Sequence, residues 1–417
     1  MVGRTSEAQG EPEGVKDMTV WDDLVGQDRV AAQLTTAARA ADAYVTAAER
    51  GEEAALAGSA MTHAWLFTGP PGAGRATAAR AFAAALQCVS PDRALGGAPG
   101  CGFCEGCHTA LIGTHADVEV LRTDLLSIGV KETRELVRRA QLAPAGGRWQ
   151  VIVLEDAYRL TEGAGNVLLK AVEEPAPRTV WLLCAPSTED VLPTIRSRCR
   201  HIALRTPPVS AVADLLVRRD GVEPAVALAA AQATQGHVER ARRLATDERA
   251  RARRRAVLGL PERLGDVGDC LRAAQELVDA AAEDAKQLAA ELDEKETQEL
   301  RAALGAAEGK RLPRGTAGAM KELEERQKRR ATRTQRDALD LALTDLTAFY
   351  RDVLARQFGS TVALAGGETA AAVERVAASS RPERTLRRME AILECRRALD
   401  RNVAPLLAVE AMTMALR

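Results

Sequence analysis

Between residues 63 and 208 short apolar runs alternate with stretches of helical composition, and beyond that point the runs cease. Four runs read as buried strands: HAWLFTG (63–69), DVEVL (117–121), WQVIVLED (149–156) and TVWLLCAPS (179–187). Helical stretches surround them at about 28–50, at RATAARAFAAALQC, at about 131–140 and at TEGAGNVLLKAVEEP (161–175), which Pro175 stops. Strands alternating with helices predict a parallel α/β sheet. After HIALRTPP (201–208) the chain reads as short helices, a small all-helical unit, and then as longer helices from about residue 263. Leu339, Leu343, Leu346, Phe349, Val353 and Leu354 share one helical face, so that face must pack on something. The expected division is a polar, disordered lead-in at 1–17, an α/β domain at 18–205, a small helical domain at 206–258 and a helical domain at 259–417. A highly charged insertion near 283–336 reads as a solvated helical hairpin with a Gly/Pro-containing tip near Pro313.

At 417 residues the chain is too long for one ordinary core, and a 46% hydrophobic content suffices for several. Only 3% is aromatic while alanine, leucine and arginine are abundant, which favours helices. The net charge of −1 gives the whole molecule no nucleic-acid-binding bias, leaving only local basic patches. No 18-residue apolar run and no charged-then-apolar leader occurs, so neither a membrane span nor a secretion signal is expected, and the expected compartment is the cytoplasm. Eight cysteines are sparse for a disulfide scaffold, and four of them crowd between Cys88 and Cys107. That points to metal rather than redox chemistry.

GPPGAGRAT (69–77) has the outline of a phosphate-binding loop. Such loops work because glycines let backbone N–H groups converge on phosphate, a lysine meets the β/γ-phosphates and a hydroxyl binds Mg²⁺. Gly69, Gly72 and Gly74 stand correctly between a strand and a helix, but Arg75 replaces the lysine and Ala76 the hydroxyl, with Thr77 one position on. Three readings stay open: a loop without hydrolysis, a working variant, and a chance glycine turn. The acids closing the third run bear on the choice. A strand ending Asp-Glu supplies a Mg²⁺ ligand and a water-activating base. Here the order is Glu155-Asp156, which displaces both carboxylates; in isolation, two acids there are simply a solvated edge.

The cysteine cluster is Cys88 followed by CGFCEGC, with Cys101, Cys104 and Cys107. Two overlapping C-x₂-C pairs and a distant fourth thiolate match a tetrahedral Cys₄ zinc site, against the alternatives of disulfides or unrelated thiols. Two-residue spacers aim successive sulfurs at one point, with Gly102 and Gly106 expected to give the turn its backbone freedom. Four thiolates leave no open position, so the zinc would be structural. Cys184, Cys199, Cys270 and Cys395 are scattered and read as ordinary buried thiols. The last signal is PTIRSRCR (193–200), where three arginines in five residues make a solvated or phosphate-facing patch.

With these pieces in order, residues 20–205 resemble the clamp-loader branch of the AAA+ ATPases. The resemblance rests on HAWLFTGPPGAGRATAARAFAAALQC, CGFCEGC, the NxLLKxxEEP pattern from Asn166 to Pro175, and Ser197-Arg198-Cys199. The C-terminal half matches in helical layout only. The family implies an AAA+ module, a helical lid and a helical collar joining five subunits into a ring. That ring uses ATP to open a sliding clamp and place it on primed DNA. The implied partners are the other loader subunits, of delta and tau/gamma type, with the clamp and DNA met through the complex. In the family the SRC arginine is a finger acting in trans on a neighbour's ATP, a role that carries to Arg198. Motor subunits keep an intact Lys-Thr loop and an arginine after a helix-starting glycine; after Gly236 this chain reads HVER, with Glu239 there.

The resemblance therefore implies a subunit whose phosphate loop is inherited without ATP hydrolysis, and whose live chemistry is Arg198. It would be a non-catalytic part of a DNA-directed DNA polymerase holoenzyme, a nucleotidyltransferase; no paired-Asp polymerase constellation occurs. A tau/gamma-type motor is the first competing reading, opposed by Arg75, Ala76, the exchanged acids and Glu239. A stand-alone DNA-binding AAA+ protein is the second, disfavoured by the near-neutral charge and the SRC motif.

Overall fold

Every strand of the first half of the molecule runs parallel to its neighbours. In the computed structural model, which describes residues 19–52, 58–123, 125–146, 148–303, 317–360, 364 and 369–417, five strands form one sheet. They are β1 (Ala64–Thr68), β2 (Val118–Leu121), β3 (Gln150–Leu154), β4 (Thr179–Ala185) and β5 (Arg200–Ala203), in the order β2-β3-β4-β1-β5. The lead-in at 1–17 and the tip near Pro313 lie outside the described residues.

The three inner strands are buried at every position, as apolar runs covered on both faces require. Their period of two divides the side chains between two cores. Trp65, Phe67, Val151, Val153, Val180 and Leu182 pack with α1 (Asp28–Glu49), α2 (Arg75–Leu86) and α3 (Glu105–Ile112). Ala64, Leu66, Ile152, Leu154, Trp181 and Leu183 pack with α4 (Val130–Ala140), α5 (Glu162–Glu173) and α6 (Pro193–Arg196). This is the three-layer α/β arrangement expected. Residues 20–27, VWDDLVGQ, close the unit: Val20 and Leu24 are buried, and the Gln27 side chain donates to the Arg205 carbonyl at 2.5 Å and accepts from the Arg205 N–H at 3.3 Å.

The described residues fall into two compact units, divided at about residue 211. The second is helical: α7 (Val209–Asp220), α8 (Pro224–Ala233), α9 (Val238–Thr246), α10 (Glu248–Leu258), α11 (Leu260–Arg263), α12 (Val267–Ala303), α13 (Ala317–Gln357), α14 (Ala370–Ser379), α15 (Pro382–Asp400) and α16 (Pro405–Leu416). Its core joins α10 to α16 around Leu339, Leu343, Leu346, Phe349 and Val353, so the amphipathic face read at those positions does pack. Leu354 is half-buried at its margin. Arg240 of α9 pairs with the buried Asp345 of α13 at 2.7 Å, tying the short helices to the long ones. The charged stretch is an antiparallel pair: Gln335 of α13 reaches the Val278 carbonyl of α12 at 3.5 Å, and Gln327 the Asp293 carbonyl at 3.0 Å. The near-neutral arm is stitched by charge, with Arg330 bonded to both Asp293 and Glu296.

Candidate functional site

The loop leaves the carboxyl end of β1 and enters α2 through Gly74, whose φ of +87° is open to glycine at little cost. A lysine at position 75 would turn toward bound phosphate. Arg75 instead folds back, its Nη1 donating to the Gly69 carbonyl at 2.5 Å, and burial lowers its pKa. The one long cation of the loop therefore braces the loop itself. Ala76 offers no oxygen, and Thr77 lies one residue further along the first turn of α2, half-buried.

Glu155 and Asp156 follow β3, which lies two places from β1 in the sheet with β4 between them. The sheet thus brings the acids and the loop to the same carboxyl edge, where open α/β sheets carry their ligands. Glu155 is already engaged: Arg80 of α2 donates to it at 2.6 Å, and its side chain is 9% exposed. Asp156 is buried and lies 4.0 Å from Arg159. A metal-binding carboxylate needs a free oxygen edge, and Glu155, at the metal-ligand position, has an arginine on it.

The four cluster cysteines come together as their spacing requires. Their sulfurs lie within 4.8 Å of one another, and Cys88 is 3.9 Å from both Cys101 and Cys104. Zinc–sulfur bonds of about 2.3 Å in a tetrahedron place sulfurs about 3.8 Å apart, so the set fits zinc. Backbone N–H groups point at the sulfurs: Cys104 to Cys101 at 3.4 Å, and Cys107 and Val89 to Cys104 at 3.5 and 3.4 Å. Such donors favour thiolate. A hydrogen bond from Cys107 holds the Cys88 thiol down at about 4, while burial pushes Cys101 up. No disulfide is present among these cysteines.

Two local details differ from expectation. The segment is not all turn: α3 begins just after Cys104, whose sulfur caps it, so Cys107 sits on a helix. Gly102 has the expected left-handed backbone (φ +83°), but Gly106 is helical and serves another end. A Cβ there would lie 1.9 Å from the Gln87 carbonyl, so the missing side chain lets the knuckle close on Cys88.

Arg198 stands past α6, exposed and away from the loop's own contacts. Its Nη1 donates to the Thr194 carbonyl at 2.8 Å and the Ser197 hydroxyl at 3.0 Å, and its Nη2 meets Glu173 of α5 at 2.6 Å. Arg196 is exposed and makes a long contact, 3.5 Å, to the Thr188 carbonyl. Arg200 corrects the sequence reading of a solvated patch: it lies 5.2 Å over the Trp65 ring and bonds the Ala60 carbonyl, a structural arginine. Glu239 lies in the second unit, in the first turn of α9, paired with Arg242 at 3.1 Å.

Reading the sequence did not find Arg80 or Glu173. Arg80 carries no signal, being one arginine in an alanine-rich helix 75 residues from its partner. Glu173 lies inside the quoted EEP motif, but nothing there says that it faces Arg198.

The α/β module is similar in sequence to known proteins. Residues 50–208 match the family described as DNA polymerase III, delta subunit. Subunit delta' of DNA polymerase III from Pseudomonas aeruginosa is 41% identical over 169 residues, 40% of this chain and 50% of that one. Subunit gamma/tau from Mycobacterium tuberculosis is 34% identical over 197 residues, 47% of this chain and 30% of that one. The chain therefore spans half or less of the length of these relatives. A solved gamma-subunit-related protein of Thermotoga maritima superposes with a TM-score of 0.38 at 14% identity, over 85% of this chain and 93% of that one, too loosely to add to the strand order. Through its α/β module, the chain is thus similar to DNA polymerase III subunits of the delta, delta' and gamma/tau kinds.

Proposed function

We propose that this chain is a non-hydrolysing subunit of a DNA polymerase III clamp loader, of the delta-prime type, working in DNA replication. It would take its place in a ring of five with delta and tau/gamma subunits, helping that ring place a sliding clamp on primed DNA. In this reading residues 206–258 are the lid and 259–417 the collar. The observation that carries the reading is the loop, where the Arg75 guanidinium bonds the Gly69 carbonyl and position 76 has no hydroxyl. Glu155 held by Arg80 supports it. Zinc, bound by Cys88, Cys101, Cys104 and Cys107, would brace the start of α3 against the end of α2 and take no part in a catalytic step.

The chemical role left to the chain is Arg198. A guanidinium is always charged and bonds two oxygens at once, which suits charge spreading over a transferring phosphoryl group. Arg198 would reach the γ-phosphate bound by an adjacent motor subunit, where a finger is worth roughly 10³–10⁵ in turnover at a site that depends on it. A reconstituted ring carrying Arg198→Ala is expected to assemble with its zinc intact and to show lower DNA-stimulated ATP hydrolysis and clamp loading, only the site facing this chain failing. Arg196→Ala is the control and should cost less, with more dependence on salt. Wild-type loading by the Arg198→Ala ring would sink the finger role.

The gamma/tau relatives favour a second reading, a motor subunit with an unusual loop. The two part on nucleotide: a motor binds and hydrolyses ATP as an isolated chain, whereas this chain is expected to show no hydrolysis once free of partner subunits.

A further inference from the structure

We infer that Glu173 is a positioning residue for Arg198, an inference that rests on the finger reading above. A guanidinium has five N–H donors in a fixed planar fork. Two of them, both on Nη1, are committed within the chain, to the Thr194 carbonyl and the Ser197 hydroxyl, while Nη2 is ion-paired with Glu173 at 2.6 Å. Nε–H and the Nη2 hydrogens are left, enough for bidentate contact with phosphate oxygens. The contacts that hold the side chain thus leave it able to do what a finger must.

The cradle comes from two rigid sources. Glu173 is the last residue of α5, whose Leu168 and Val172 are fully buried, while Thr194 belongs to α6, anchored by the buried Ile195. Gly165 keeps α5 close to this segment, since a Cβ there would come 2.4 Å from Leu192 Cδ1. Arg198 and Glu173 are 40% and 37% exposed, so the pair adds little to folding and can be changed without harming the core. What it supplies is a fixed rotamer. An arginine free in solvent must be ordered when it meets the phosphate, and that ordering is already done here.

The test is DNA-stimulated ATP hydrolysis by the ring reconstituted with its partner subunits, with wild type, Glu173→Ala, Glu173→Gln, Arg198→Ala and the double variant Glu173→Ala/Arg198→Ala. Glu173→Ala is expected to lower turnover at the site facing this chain about three- to ten-fold, and the ring's total by that site's share, with KM for ATP unchanged. Glu173→Gln, which keeps an acceptor oxygen, should recover part of the loss. The double variant should be no slower than Arg198→Ala alone, because Glu173 acts only through the arginine. Unchanged turnover in Glu173→Ala beside a slow Arg198→Ala ring would overturn the positioning role and leave the finger standing. Faster turnover in Glu173→Ala would overturn it as well, making the carboxylate a brake. Unchanged turnover in Arg198→Ala would remove the finger reading itself.

Discussion

A lysine at position 75 would end in a single ammonium able to swing toward a phosphate. The guanidinium there is planar, partly buried and donates to Gly69, which turns it back onto the loop. Exchanging Arg75→Lys together with Ala76→Thr would remove that brace and supply both absent side chains. The isolated double variant is nevertheless expected to release phosphate from ATP no faster than wild type, since Arg80 still covers Glu155 and the two acids remain exchanged. Phosphate release above background would show that the loop alone was at fault. These residues also mark how far the sequence could be read. The identities at 75, 76, 155 and 156 were legible as departures from a motif, because a motif fixes which atom each position must offer. What those side chains do instead was not legible: Arg80 meets Glu155 across 75 residues, and Arg200 stacks on Trp65 because two neighbouring strands bring them together.

At the scale of elements, β1 to β4 were legible as short apolar runs, the three inner ones buried at every position. The fifth strand, β5, RHIA at the sheet edge, was not, since only Ile202 of it is buried. The cysteine cluster was legible as a set of ligands but not as a shape: its spacing says which sulfurs meet, while the start of α3 at Glu105 and the closeness of Gly106 to Gln87 depend on packing. The charged arm was legible as a hairpin, and the structure adds what holds it. Arg330, 8% exposed, bonds Glu296 at 2.7 Å and also Asp293, and it holds the Glu296 carboxyl below its usual range. A carboxylate depressed in this way stabilises the folded arm fully above its unfolded value, about 4.3, and loses that contribution as pH falls through the lower folded value. Arg330→Ala should loosen the arm by about 1.5–3 kcal/mol at neutral pH, the range for hydrogen bonds to charged groups. Hydrogen exchange should then accelerate in 283–303 and 317–336 while the amides around Leu343 and Leu346 keep their protection. Acidifying wild type below about pH 4 should loosen the same segments. Equal exchange in the variant and wild type at neutral pH would show that apolar contacts alone, such as Leu323, hold the arm.

At the scale of the molecule, the second unit has no cysteine cluster among its described residues, and the first carries all four cysteines of the cluster. Chelation is therefore expected to act on one unit. Calorimetry of zinc-loaded and chelated protein should show the α/β transition falling on the order of 5–10 °C, as a few kcal/mol does in a domain of this size, with the helical transition unmoved. One equivalent of zinc should be lost in the same treatment; a preparation without zinc, its cluster thiols freely reactive, would end the zinc assignment. The arm has a practical consequence. Val278 and Gln335 touch where the two long helices leave and rejoin their core, so the chain departs and returns at one doorway. Whatever lies beyond that doorway can be shortened, exchanged or fitted with a reporter without pulling the ends of the core apart. It is a natural socket for a fluorophore that leaves the core of the unit untouched.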